Sequence, residues 1–136
     1  MPERDGILNS LLLANVMAEE GKPLGQLVAD LQREFGPHYY GRRDLHIPQD
    51  MKQGAIQRAG SGDTKRLGHY AILKKENLDG VKLFLDAPTD GNGADAWILF
   101  RASGTEPLLR VYAEAASQEL VDELLASGEA FVKRSA

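Results

Sequence analysis

From Leu109 to Ala115 apolar and polar residues alternate: Leu109, Val111, Ala113 and Ala115 fall on one parity, Arg110, Tyr112 and Glu114 on the other. A period of two marks a strand with one buried face, so this stretch commits the chain to a sheet that is covered on one side. The same parity points Arg110 away from the core and toward the open face. A second apolar run, Ala96 to Phe100, lies just upstream, and the two flank Arg101-Ala102-Ser103-Gly104-Thr105-Glu106-Pro107. An Arg at the end of a strand, followed by Ser, Gly and Thr, supplies a planar cation, two hydroxyls and a backbone able to turn several N–H groups toward one point. Those groups suit a phosphate. The Arg fork matches two phosphate oxygens at once, Gly104 can adopt φ > 0 without a Cβ clash, and successive turn amides form an anion-binding nest. Arg110 adds a second cation. Ser, Gly and Pro are equally ordinary turn residues, so by its residues alone the loop reads either as an anion site or as a turn.

Before this region the pattern is helical. Asp5 is a plausible N-cap for a helix from about Gly6 to Glu20, whose apolar positions Ile7, Leu8, Leu11, Leu12, Ala14, Val16 and Ala18 cover more than one stripe. Gly21 stops it. Pro23 opens a second helix, in which Leu24, Leu27, Val28, Leu31 and Phe35 recur at helical spacing until Gly36-Pro37. This hairpin has more apolar surface than two helices can bury between themselves, which predicts that it lies on another element or associates with a second copy.

The remainder is mostly strand. His38 to Ile47 reads as a strand ending before Pro48, and Gln49 to about Ala59 as a weak helix with Met51, Ala55, Ile56 and Ala59 as its apolar side. Gly60 to Thr64 is a polar linker. Tyr70 to Asn77 and Val81 to Leu85 flank Leu78-Asp79-Gly80, where Asp-Gly signals a tight turn. A last helix runs from about Gln118 to Lys133 with Ser117 as N-cap; Leu120, Val121, Leu124, Leu125, Glu129, Phe131 and Val132 form its mostly apolar side. Strands before and after two helices predict an α+β domain over residues 37–136: a four- or five-stranded, largely antiparallel sheet with helices on one face.

Composition narrows the function. A chain of 136 residues with 43% apolar content buries one core, or one core plus an appendage. Its net charge of -4 argues against a nucleic-acid or anionic-membrane partner, so phosphate binding has to be local. The absence of Cys removes disulfides and thiolate metal sites and fits a reducing compartment. No apolar run approaches the about 20 residues of a membrane span, and the expected location is the cytoplasm.

The stretch Arg101 to Ala115 (RASGTEPLLRVYAEA) closely resembles the phosphate-binding loop in the last domain of the phosphohexomutases, the phosphoglucomutase/phosphomannomutase family. The opening Pro2-Glu3-Arg4-Asp5-Gly6-Ile7 is similar to the segment that follows the sugar-recognition loop of that family's third domain. The resemblance covers nearly the whole chain, with its specificity concentrated at these two places. It implies that residues 1–36 are the terminal helices of a third, sugar-binding domain whose sheet and Gly-Glu-x-Ser-Gly loop lie upstream. It likewise implies that residues 37–136 are the fourth, C-terminal domain. The activity implied is interconversion of hexose 1-phosphate and 6-phosphate, of the glucose/mannose type, through a phosphoserine and a bisphosphorylated sugar. Within it, Arg101, Ser103, Gly104 and Thr105 would hold the non-reacting phosphate, Arg110 would add a contact, and Glu106 would brace the loop. The catalytic serine string and the Mg²⁺ loop of the family are not in this sequence, so the fragment is expected to be inactive alone, with Mg²⁺ held by the full-length enzyme. The partners implied are the hexose phosphate or bisphosphate and the first three domains of the same chain.

Other sites weigh less. Asp90-Gly91-Asn92-Gly93-Ala94-Asp95 lacks the acids of a metal loop, and Arg101 stands where a calcium hand needs its twelfth-position Glu; it reads as a hairpin loop. His38, His46 and His69 share no ligand spacing. Arg42-Arg43 and Lys65-Arg66 read as solvated ends, and Tyr39 and Tyr40 as sheet residues. The rival from another class is a non-enzymatic α+β module that binds a small anion or docks a protein; a stand-alone sugar-phosphate hydrolase lacks any acid/base pair here.

Overall fold

A computed structural model describes residues 5–88, 96–104 and 106–134. The chain divides into two compact units, Met1–Gly36 and Pro37–Ala136.

In the first unit, α1 (Gly6–Glu20) starts where the Asp5 carboxylate accepts the Leu8 N–H at 2.9 Å, which satisfies one of the otherwise unpaired first-turn donors. It ends at Gly21, whose φ of 60° closes a left-handed cap. Helix α2 (Leu24–Phe35) follows, and Lys22 reaches Asp30 on it at 2.8 Å. The hydrogen bond from Lys22 holds the Asp30 carboxyl below the usual carboxylate range. Neither helix has a buried residue: Ile7 is 78% exposed and Leu11 63%.

The second unit is an α+β domain. Its strands are β1 (Tyr39–His46), β2 (Arg66–Leu67), β3 (Tyr70–Glu76), β4 (Val81–Asp86), β5 (Trp97–Ala102) and β6 (Leu108–Ala115). They form one antiparallel sheet in the order β1-β6-β5-β4-β3-β2. Helix α3 (Gln49–Gly60) packs on β4 and β5, and α4 (Gln118–Lys133) on β1 and β6, so both cover one face. Six strands stand where four or five are expected. The additional one, β2, is two residues long and pairs Arg66 with Ala71 and Leu67 with Tyr70 across Gly68 at φ 59°. Nothing in its short basic sequence announces a strand; the turn folds it onto β3.

The alternation expected of β4 and β6 is the one observed. Leu83, Ile98, Phe100, Leu109 and Val111 are fully buried together with Val121, Leu124 and Val132 of α4. Burying each such side chain stabilises the fold by about 1.5–3 kcal/mol relative to exposure. Helix α4 begins with the Ser117 hydroxyl accepting the Leu120 N–H and approaches the sheet closely: a Cβ on Gly128 would lie 2.5 Å from Ile98 Cδ1, and one on Gly41 2.7 Å from Val121 Cγ1. Gly128 therefore occupies the buried stripe, while Glu129, expected there, turns out to meet Arg43 at 2.9 Å and Lys133. A carboxylate takes the rim because a buried one would lose its hydration.

In β3 the pairing slips between Ile72 and Lys74. This bulge leaves Leu73 exposed and turns Lys75 to the helical side, where its Nζ donates to Ala59 O at 2.9 Å and to Ser61 O. The last carbonyls of α3 are thereby capped by a side chain from the sheet.

Candidate functional site

The loop between β5 and β6 is closed by the Ser103 N–H donating to Leu108 O at 2.9 Å, one step beyond the Ala102–Leu109 pair. On the open face of the sheet, Arg101 of β5 sits directly opposite Arg110 of β6. Two guanidiniums side by side repel each other, and the surroundings compensate incompletely. Asp79 of the β3–β4 turn pairs with Arg101 at 3.0 Å, while Glu106 lies 4.0 Å from Arg110. Asp44, opposite Arg110 on β1, is turned to Arg42 at 2.9 Å. The Nε of Arg110 is buried with no hydrogen-bond partner among the described residues. An unsatisfied buried donor is costly, and it lies on the guanidinium pair beside the loop.

The turn that brings Asp79 to Arg101 depends on Gly80, which has φ 105°; a Cβ there would stand 2.4 Å from Phe100 O. The Asp-Gly signal in the sequence thus positions an acidic side chain against the candidate site as well as reversing the chain.

The loop itself is held from two directions. The Ile47 N–H donates to Pro107 O at 3.2 Å, tying it to the end of β1. From the helical side, Lys52 of α3 donates to Ser103 O at 2.8 Å and to Glu106 O at 2.9 Å, with only 3% of its surface exposed. Lys52 is the residue that sequence reasoning passes over. Its signal was its place on the same helical stripe as Ala55 and Ala59, where a charged residue is buried only if something pairs with it.

The structure brings Arg101, Ser103, Gly104, Glu106 and Arg110 into one region, and Thr105 lies outside the described residues. Two details depart from the nest drawn from sequence. The Ser103 amide is engaged by Leu108 O, which leaves its hydroxyl as the group it can offer an anion. Gly104 does not have positive φ. The strand ladder extends through Ser103. What glycine provides here is access, since nothing lies within 4 Å of where its Cβ would be.

The remaining candidates are dispersed. His38 Nδ1 faces Glu114 at 3.0 Å, and His69 Nε2 faces Glu123 at 3.3 Å. Among the described residues no three His, Asp or Glu side chains are grouped to hold a metal ion, and a site built on Arg101, Arg110 and Lys52 is unsuited to Mg²⁺. The Asp90 to Asp95 loop lies outside the described residues. Lys65 and Arg66 border a recess of about 630 Å³ at the far edge of the sheet together with Arg58 and Arg134. Two of its four cations are spent on backbone: Arg58 donates to Phe131 O and Val132 O, and Arg66 to His69 O. Among the described residues no helix is long and apolar enough to cross a membrane.

Residues 74–127, which contain the guanidinium pair and the loop, match the family profile described as phosphoglucomutase/phosphomannomutase, C-terminal domain. The chain is similar to a phosphoglucomutase/phosphomannomutase of Thermococcus kodakarensis, 30% identical over 92% of this chain and 24% of that protein. It is also similar to a probable phosphoglucosamine mutase of Methanopyrus kandleri, 32% identical over 88% and 23%, and to the phosphoglucosamine mutase of Bacillus subtilis, 31% identical over 88% and 21%. The chain spans about a quarter of the length of these curated relatives. With the loop at the centre of the matched region and relatives of one kind along most of its length, the chain belongs to the phosphoglucomutase/phosphomannomutase family, whose C-terminal domain it matches.

Proposed function

We propose that residues 37–136 clamp the non-reacting phosphate of a hexose phosphate in a phosphohexomutase. Arg101 and Arg110 supply the charge, the Ser103 hydroxyl and Gly104 the close contacts, and Thr105 a further hydroxyl. The observation that carries this reading is the juxtaposed guanidinium pair, with its unsatisfied Arg110 Nε, at the mouth of the β5–β6 loop. A dianion between the two cations would remove their repulsion and fill the empty donor.

The role suits mutase chemistry. A sugar bisphosphate that must be bound in two opposite orientations presents a phosphate to the clamp in both, so one fixed site serves both half-reactions. Binding energy at that remote group then positions the reacting end. The phosphoserine, the Mg²⁺ and the sugar-recognition loop belong to the preceding domains, and residues 1–36 to the last part of the third. The proposed substrates are glucose and mannose phosphates. Relatives named phosphoglucosamine mutase make hexosamine phosphate the comparison to run beside them. A cytoplasmic location accompanies this reading.

The test is an NMR titration of the chain with inorganic phosphate and with glucose 6-phosphate. Binding is expected in the millimolar range, about -4 kcal/mol, because the other contacts to the sugar are made elsewhere. Shifts should concentrate at residues 102–106 and at Arg110, and should disappear in Arg101→Ala. A parent chain whose loop resonances do not move removes the clamp.

A further inference from the structure

We infer that Lys52 is a positioning residue for the anion site, holding the β5–β6 loop from behind so that the Gly104 amide faces the guanidinium side. The inference rests on the phosphate reading above. A peptide unit is planar and trans, so the C=O of Ser103 and the N–H of Gly104 point in opposite directions. Lys52 Nζ takes the Ser103 carbonyl at 2.8 Å, which turns the Gly104 N–H away from α3. The second bond, to Glu106 O at 2.9 Å, fixes the other end of the loop to the same nitrogen. One ammonium with three donors therefore sets both ends of a segment that the Ser103–Leu108 bond merely closes.

The charge matters as much as the geometry. Lys52 is 3% exposed, and its bonds are to neutral carbonyls. Among the described residues no carboxylate pairs with Lys52, and Asp79 and Glu106 face the arginines instead. A buried cation without a counter-charge is costly, and an anion on the far side of the same loop offsets it. Lys52 thus adds to the field of the site without touching its ligand. It also fixes the Ser103 and Glu106 carbonyls before binding, so less of the binding energy goes into placing them.

A purely structural brace would lower stability on removal and leave the affinity of the folded chain unchanged. The experiment compares the parent chain with Lys52→Met, Lys52→Gln and Arg101→Ala by titration with inorganic phosphate at constant ionic strength. Amide spectra follow the loop and the core, and the Lys52 ammonium resonance is followed in the parent. Lys52→Met is expected to bind phosphate at least about tenfold more weakly with core resonances unmoved and the free-state Gly104 amide shifted. Lys52→Gln, which can still donate to one carbonyl, should fall between. In the parent, the ammonium signal should move as phosphate is added. Affinity within about twofold of the parent in Lys52→Met, with binding still abolished by Arg101→Ala, overturns the role of Lys52 and leaves the clamp standing. A parent that binds no phosphate overturns both. If Lys52→Met does not fold, unchanged affinity in Lys52→Gln together with an ammonium signal unmoved at saturation overturns the inference.

Discussion

Arg101 already has an anion beside it. Asp79, 3.0 Å away and largely exposed, competes with any phosphate for the same guanidinium. An exposed pair of this kind contributes between nothing and about 1 kcal/mol, so in the proposed clamp Asp79 would be a mild restraint that a doubly charged ligand could displace. Replacing it should strengthen binding: Asp79→Asn is expected to tighten phosphate affinity by about two- to fivefold, read in the same titration. A weaker affinity in that variant would mean that Asp79 orients the arginine for the ligand. Arg110 differs in having its Nε buried and unpartnered, which makes it the donor with most to gain when the site is filled.

At the scale of elements, the site depends on how the β3–β4 turn and α4 meet the sheet. Gly80 at φ 105° lies so close to Phe100 O that Gly80→Ala must distort the turn that carries Asp79 and the strand that carries Arg101. A loss of about 1–3 kcal/mol in denaturant unfolding is expected, accompanied by shifts in the Arg101 amide. The rim of α4 responds to pH. Lys133 first, and then Arg43, hold the Glu129 carboxyl below the usual carboxylate range. A carboxylate with a lowered folded-state pKa stabilises the fold above its unfolded pKa, and the contribution disappears as pH falls through the folded value. Stability should therefore decline on acidification below the ordinary Glu range, and Glu129→Gln should show a shallower acid limb in melting temperature against pH. Equal slopes for parent and variant would place the acid sensitivity elsewhere.

For the whole molecule, the apolar surface of residues 5–36 decides behaviour in solution. Ile7, Leu11, Leu12, Leu31 and Phe35 are each more than half exposed, and apolar surface on that scale is seldom left in water. The chain is expected to self-associate in a concentration-dependent way, or to lose helical order in α1 and α2 at low concentration. Light scattering with far-ultraviolet circular dichroism distinguishes these outcomes. A strictly monomeric chain with both helices fully formed would contradict the expectation. The buried core lies entirely in the second unit.

Local pattern carried much of this protein. The alternation in β6, the caps at Asp5 and Ser117 and the helical spacing of α2 and α4 are properties of neighbouring residues, and the sequence by itself determined them along with the inventory of cations and hydroxyls at the loop. Which of those groups meet was a matter of register and packing. Arg101 faces Arg110 because β5 and β6 pair in one register; Asp79 reaches across because Gly80 allows the turn; and Lys52, 51 residues before Ser103, is buried beneath the loop because α3 crosses β5 there. Short-range periodicity specifies which face a residue occupies. The identity of its partner across the sheet, and whether a buried charge finds a carbonyl, depend on contacts between distant segments, and only the tertiary structure decided those.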